Sequence, residues 1–122
     1  VWVLPATAVP RAEDWDVIAD CRTPAEFAED HIPGAVNTPA LTNEERATVG
    51  TLYKEDAFLG KRLGAGLVAA NIARHFETTF AALPKGSRVL VYCWRGGERS
   101  GSLAHVLSRV GWHATVLEGG YK

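Results

Sequence analysis

One segment of the chain combines a nucleophile with groups that favour negative charge. It begins at Cys93 and continues with Trp94, Arg95, Gly96, Gly97, Glu98, Arg99 and Ser100. Paired glycines allow a loop to curl so that backbone amides approach the sulfur, and the two arginines bring positive charge. With the N-terminus of a following helix, these groups favour the thiolate, which is the nucleophilic form of cysteine. The segment therefore predicts an anion-binding loop around a catalytic Cys93.

The other side chains of this loop have roles that the pattern leaves open. We expect Arg95 and Arg99 to contact the anion rather than solvent. Glu98 either orients Arg99 or faces water. Trp94 either lines the pocket, where it could stack on a base, or packs against the edge of the sheet.

Two further groups of residues are expected to support the loop. Asp20 and Arg22 flank the end of a predicted strand, and we expect a structural ion pair there rather than direct chemistry. Cys21, between them, is interpreted as a buried core residue, with a redox or resolving role as the alternative. Gly119 and Gly120 are expected to let the backbone pass close to the loop.

The histidines indicate neither a general base nor a metal site. His31 fits a turn, and the sequence indicates nothing beyond solvation for His75, His105 and His113. We therefore expect no metal ion and no cofactor in this domain.

Strands and helices must bring the supporting residues close to the Cys93 loop. Asp16 to Cys21 is a short apolar run bounded by acids, which is typical of a buried strand. The segment Thr23 to Phe27 then has the capping threonine, first-turn proline and capping-box glutamate of a helix start. His31 to Ala35 supplies turn residues, and Ala35 to Asn37 is predicted to be a second short strand.

A helical pattern covers the region from Thr42 to Leu83. Asn43 to Arg46 opens one segment, and a longer one carries apolar residues at spacings of three to five, namely Leu67, Ile72, Phe76, Phe80 and Leu83. Three glycines are expected to break this pattern into pieces: Gly60, Gly64 and Gly66.

The C-terminal third predicts the strand that carries the nucleophile. Arg88 to Tyr92 is a continuous apolar run, typical of the middle of a parallel sheet. A helix from about Ser100 to Val110 follows, with Gly111 as its C-cap, and Ala114 to Leu117 is the last strand. Because strands alternate with helices, we predict an α/β fold with a mostly parallel central sheet, whose ligands gather at the carboxyl ends of the strands.

The bulk composition is that of a soluble globular domain. The 122 residues are 47% hydrophobic and 22% charged, which fits a single domain over residues 1–122 with its own core. Residues 1–83 sum to a charge of −5 and residues 84–122 to +4, without the clustered basic run of a nucleic-acid-binding tail. No segment has the pattern of a membrane helix or a signal peptide, so we expect a cytoplasmic protein with two reduced cysteines.

The motifs, taken in order, resemble those of the rhodanese superfamily. They are Asp20 to Phe27, His31 to Asn37, Cys93 to Ser100, and Leu117 to Tyr121. The resemblance implies a rhodanese-like three-layer domain with helices on both sides of the sheet, in which Cys93 handles sulfur or selenium.

Two departures from the superfamily pattern keep alternatives open. Most members have an aliphatic residue at the position of Cys21. The five residues between Cys93 and Arg99 resemble the Cys-x5-Arg spacing of the phosphatase branch of the same fold, although Tyr92 stands where that branch usually has histidine. A phosphatase and a non-catalytic docking module are therefore the alternative functions.

More narrowly, the chain is similar to the N-terminal rhodanese domain of the bacterial tRNA 2-selenouridine synthase family. The similarity lies in Tyr92 to Ser100, Asn43 to Lys54 and Glu118 to Lys122. It implies that the sulfur of wobble 2-thiouridine is exchanged for selenium, with tRNA and selenophosphate or another sulfur or selenium donor as partners.

The same family implies a second domain, a P-loop module. The chain contains no GxxxxGK[ST] pattern. We therefore expect a fragment that needs the domain following Lys122 to bind tRNA, and that binds no membrane.

Overall fold

Five short strands form one parallel sheet in the computed structural model, which describes residues 2–5, 10–93 and 98–117, with the backbone alone for residues 98 and 99. The strands are β1 (Trp2–Leu4), β2 (Val17–Asp20), β3 (Val36–Asn37), β4 (Arg88–Tyr92) and β5 (His113–Leu117). Their spatial order is β1-β5-β4-β2-β3, and every pair is parallel. The strand β4 is therefore central, and the predicted parallel α/β architecture is confirmed.

Helices connect most of these strands, and the caps explain where they begin. They are α1 (Pro24–Glu29), α2 (Asn43–Glu55), α3 (Ala57–Glu77) and α4 (Glu98–Val110), with a short 3-10 turn at Ala12–Asp14. The predicted capping box opens α1: the Thr23 hydroxyl accepts a hydrogen bond from the Glu26 amide, and the Glu26 carboxylate accepts one from the Thr23 amide. A second capping box between Thr42 and Glu45 opens α2.

Each face of the sheet has its own core, because side chains alternate along each strand. One core contains Val89, Val91 and Cys93 and packs against α4 and the C-terminal half of α3. The other contains Leu90 and Tyr92 and is covered by the segment around Trp15 and by the turn after α1. Consecutive residues at the end of β4 therefore face opposite sides of the sheet.

The predicted breaks in the helical region are wrong. All three glycines lie inside α3: Gly60, Gly64 and Gly66. The break is at Asp56, whose backbone amide closes α2 and whose carboxylate accepts a hydrogen bond of 3.1 Å from the Leu59 amide in α3. Gly60 instead permits close packing of the two helices, since a Cβ there would lie 2.6 Å from the Cα of Tyr53.

Two helix boundaries and one strand also differ from the sequence prediction. Helix α3 ends at Glu77, so Phe80 and Leu83 follow it, although Phe80 remains buried in the core. Helix α4 begins at Glu98, two residues before the predicted start. The edge strand β1, which pairs with β5, was not predicted.

Candidate active site

Cys93 lies directly after β4, at the carboxyl end of the central strand. Its side chain is 1% exposed and belongs to the core shared with α4. The carboxyl edge of a parallel sheet is where ligands of such folds bind. The structure therefore places the predicted nucleophile at the predicted edge, beneath the surface.

The hydroxyl of Ser100 contacts the sulfur of Cys93. Its Oγ lies 3.3 Å from the Cys93 Sγ, and Ser100 is also 1% exposed. Ser100 lies in the first turn of α4, which begins at Glu98. A helix N-terminus carries partial positive charge, so the hydroxyl and the helix both favour negative charge on the sulfur or on an atom bound to it.

Asp20 and Arg22 form the predicted ion pair on the opposite side of the sheet. The Asp20 carboxylate accepts from the Arg22 Nη2 at 2.8 Å, from Nε at 3.1 Å and 3.2 Å, and from the Arg22 amide at 2.8 Å. Both side chains are buried. Burial alone would lower the pKa of the Arg22 guanidinium, but the hydrogen bonds and charge of Asp20 outweigh burial, and the pKa is raised.

Tyr92 links this pair to β4, the strand that leads to Cys93. Its hydroxyl donates to the Asp20 Oδ2 at 2.9 Å and accepts from the Ile32 amide at 3.1 Å. The Arg22 Cζ lies 5.6 Å from the centroid of the tyrosine ring. Burial, with a further contribution from the charge of Asp20, raises the pKa of Tyr92. A protonated hydroxyl therefore fixes the residue before Cys93.

Tyr92 was not predicted as a site residue. Its position before the cysteine and the alternation of β4 were the available signals. The pairing of β4 with β2, which the sequence does not specify, is what brings Tyr92 to Asp20.

Cys21 is a buried core residue beside Cys93. Its amide donates to the Tyr92 carbonyl at 2.8 Å, and its side chain shares the core that contains Cys93. The Cys21 Sγ lies 3.8 Å from the Thr38 Oγ1. The expected buried position of Cys21 is thus confirmed, and both cysteines carry thiols.

The segment from Thr38 to Ala40 lies beside Cys21 and is held in place by hydrogen bonds from α3. The Asn71 side-chain amide donates to the Ala40 carbonyl at 2.8 Å, and the His75 Nε2 donates to the Pro39 carbonyl at 2.7 Å. The prediction that His75 is merely solvated is therefore wrong. His31 does lie in a turn, where its Nδ1 bonds to the Phe27 carbonyl at 2.8 Å.

Part of the predicted site lies outside the described residues. These positions are Trp94, Arg95, Gly96, Gly97, Gly119 and Gly120. Glu98 and Arg99 lie in the first turn of α4, and their predicted side-chain roles stay predictions. Within the described parts of the chain, no three His, Cys, Asp or Glu residues group as metal ligands, and no helix is long and apolar enough to cross a membrane.

Comparison with known proteins assigns the family. A profile of the rhodanese-like domain family matches residues 6–122. The chain belongs to this family. Among curated relatives, it is 36% identical over 107 residues to a tRNA 2-selenouridine synthase of Nitrosomonas europaea and 37% identical over 110 residues to one of Bdellovibrio bacteriovorus. Each match covers 86% of this rhodanese-like chain but only 28% of the relative, so the chain spans under a third of their length.

Solved structures share the fold of this chain. An N-terminal domain from Clostridium difficile is 36% identical, with a TM-score of 0.72 over 86% of this chain and 82% of that domain. A rhodanese-related protein from Thermoplasma volcanium is 17% identical, with a TM-score of 0.59 over 98% of this chain and 86% of the other, and so shows the shared fold alone.

Proposed function

We propose that Cys93 carries sulfur or selenium as a persulfide or perselenide, as one part of the conversion of wobble 2-thiouridine to 2-selenouridine in tRNA. The relatives named tRNA 2-selenouridine synthase, at 34–37% identity, support the reaction. The partners in this proposal are tRNA and selenophosphate or another sulfur or selenium donor, in the cytoplasm.

The donor step is a displacement at a chalcogen atom. With thiosulfate as donor, the Cys93 sulfur forms a bond to the outer sulfur, the sulfur–sulfur bond to the sulfite group breaks, and sulfite leaves with the electron pair. The product is Cys93 persulfide, whose terminal sulfur is anionic. A second nucleophile then takes that terminal atom and returns Cys93 to its thiolate.

The 3.3 Å contact between Cys93 and Ser100 carries this proposal. The Ser100 hydroxyl can donate to the attacking sulfur while the first turn of α4 favours the negative charge, which is preorganised electrostatic stabilisation. Arg95 and Arg99, with the amides of Gly96 and Gly97, complete the anion site in this proposal. The network of Asp20, Arg22 and Tyr92 holds the end of β4 in place.

Intact mass spectrometry of the protein after incubation with thiosulfate, or with its selenium analogue selenosulfate, which also releases sulfite, tests the carrier step. We expect one sulfur or selenium atom on the wild type, removed by a reducing thiol. Cys93→Ala should take up none, whereas the matched variant Cys21→Ala, which removes the other thiol, should still be modified. An equal adduct on Cys93→Ala, or none on the wild type, would refute the proposal.

The tRNA step needs the protein at its full natural length. We expect Cys93→Ser in that protein to abolish formation of 2-selenouridine, measured by mass spectrometry of tRNA nucleosides. If the variant still forms 2-selenouridine, the domain is a docking module and not a chalcogen carrier.

The Cys-x5-Arg spacing between Cys93 and Arg99 favours a second candidate, a phosphatase. Its test is hydrolysis of an aryl phosphate by wild type and Cys93→Ser. Turnover that disappears in the variant, without a persulfide on the wild type, would favour the phosphatase.

A further inference from the structure

Cys21 and Cys93 occupy neighbouring positions on adjacent strands. In the β2–β4 ladder, Ala19 is opposite Val91 and Asp20 is opposite Tyr92. The ladder continues by one residue, because the Cys21 amide donates to the Tyr92 carbonyl at 2.8 Å. Cys21 is therefore opposite Cys93. Neighbouring strands lie about 4.8 Å apart, which falls within the range of about 4.4–6.8 Å between the Cα atoms of a disulfide.

The two thiols also lie on the same face of the sheet and are equally buried. Ala19 and Val91, the matched pair two residues earlier, belong to the core that contains Cys21 and Cys93. Each cysteine is 1% exposed. A pair of thiols in register on one face of a sheet differs from two cysteines that merely share a domain, because neither strand must move far for the sulfurs to meet.

Each sulfur has a hydroxyl beside it. The Thr38 Oγ1 lies 3.8 Å from the Cys21 Sγ, and the Ser100 Oγ lies 3.3 Å from the Cys93 Sγ. Thr38 and Ser100 are both 1% exposed. Each hydroxyl can accept a hydrogen bond from a thiol or donate one to a thiolate. The two sulfurs therefore do not lie in a purely apolar environment.

We propose that Cys21 is the resolving thiol of Cys93. A hydroperoxide oxidises the Cys93 sulfur: a sulfur–oxygen bond forms, the peroxide oxygen–oxygen bond breaks, and hydroxide leaves from hydrogen peroxide, which yields the sulfenic acid. The Cys21 sulfur then attacks the Cys93 sulfur, the sulfur–oxygen bond breaks, and the proton of Cys21 leaves with the oxygen as water. A Cys21–Cys93 disulfide remains.

The disulfide gives the site a reversible off state. It occupies the sulfur that attacks the donor, and it stops oxidation before the sulfinic and sulfonic acids, which simple thiols do not reduce. A dithiol restores both cysteines by thiol–disulfide exchange. The off state rests on the proposed carrier function, whereas formation of the disulfide needs no chalcogen donor and is tested separately from that function.

The test compares wild type with Cys21→Val and Cys21→Ala. Each protein is treated with hydrogen peroxide at a small molar excess, unfolded in denaturant with a maleimide so that every remaining thiol reacts, and weighed intact without reductant. We expect the wild type to lose two hydrogen atoms, to resist the maleimide at both cysteines, and to recover both thiols with dithiothreitol. Both Cys21 variants should instead gain two or three oxygen atoms on Cys93 and not recover.

The two Cys21 variants differ in side-chain volume, so a shared result reports the missing thiol rather than altered packing. Thermal unfolding identifies any variant that does not fold, and one folded variant is enough. Cys93→Ser is the second control and should show no loss of hydrogen. The proposal is overturned if the wild type gains oxygen as fast as the variants, or if its disulfide joins two molecules and doubles the mass.

Discussion

At the scale of single residues, the hydroxyl of Ser100 distinguishes Cys93 from a cysteine that only fills a core. We predict that Ser100→Ala slows persulfide formation by about tenfold or more, because a hydrogen bond to a charged group contributes about 1.5–3 kcal/mol. The rate of mass gain at fixed thiosulfate measures the effect. Ser108→Ala, in the same helix but away from Cys93, is the matched control, and equal rates in the two variants would contradict the assignment.

The hydroxyl of Tyr92 connects β4 to the buried charge of Asp20. Removing it in Tyr92→Phe leaves the Ile32 amide without this acceptor and the Asp20 carboxylate without this donor. We predict a loss of about 1–3 kcal/mol in the free energy of unfolding at neutral pH, measured by urea denaturation. The control Tyr53→Phe changes a 48% exposed ring and should cost under about 0.5 kcal/mol.

The same hydroxyl should also make the wild type more sensitive to alkali. Its pKa is raised in the folded chain, above the value of about 10 expected in the unfolded chain. The unfolded chain therefore releases this proton first, so the stabilisation is complete below about pH 10 and declines as the pH rises further. Between about pH 9 and pH 11, Tyr92→Phe should lose less stability than the wild type. If the free energy of unfolding fell equally with pH in wild type and Tyr92→Phe, the Tyr92 hydroxyl would not contribute to the loss of stability in alkali.

At the scale of elements, the cap of α2 depends on an ionised carboxylate. Hydrogen bonds from the Thr42 amide and then from the Asn71 side chain lower the pKa of Glu45 in the folded state. Because this pKa is lower in the folded chain than in the unfolded chain, the ionised carboxylate stabilises the fold when the pH is above the unfolded pKa. The stabilisation is lost as the pH falls through the folded pKa. We predict that Glu45→Gln costs about 0.5–1 kcal/mol at pH 7, and that its difference from wild type shrinks below about pH 4.5. Urea denaturation at both pH values measures this, and a constant difference would contradict it.

The packing of α2 on α3 depends on one glycine. A Cβ at Gly60 would lie 2.6 Å from the Tyr53 Cα, whereas one at Gly66 would meet nothing within 4 Å. Alanine favours a helix by about 1 kcal/mol over glycine, so Gly66→Ala should stabilise the domain. Gly60→Ala should instead destabilise it by about 1–3 kcal/mol, because the helices must separate. Thermal unfolding of Gly60→Ala and Gly66→Ala measures the two effects. If both variants were more stable than wild type, the helices would accommodate a side chain at position 60 without cost.

The elements near the site could be predicted because their signals are local. The capping box at Thr23, the apolar run of β4 and the glycine after α4 each act within a few residues. The helix break at Asp56 could not be distinguished from the glycines, because only packing against Tyr53 explains why Gly60 lies inside a helix. The neighbouring positions of Cys21 and Cys93 follow from strand order, a long-range property that no short pattern specifies.

At the scale of the whole molecule, one buried charge joins distant parts of the chain. The Asp20 carboxylate at the end of β2 accepts from Arg22 and from Tyr92 at the end of β4. Arg22 also donates to the Asp30 carbonyl, which follows α1, and Tyr92 holds the Ile32 amide in the next turn. These bonds fix the carboxyl end of the sheet, where Cys93 lies.

Because both charges of this pair are buried, removing one should affect the entire fold. Arg22→Met leaves an uncompensated carboxylate, which costs about 3–5 kcal/mol, a large share of the roughly 5–15 kcal/mol that stabilises a domain. Adding Asp20→Asn should recover part of that loss, because the second charge is then absent. The partly exposed pair formed by Arg46 and Glu26 is the matched comparison: Arg46→Met should cost under about 1 kcal/mol. Urea denaturation of all four proteins, including wild type, measures these differences. If Arg22→Met were no worse than Arg46→Met, the buried pair would not hold the edge of the sheet in place.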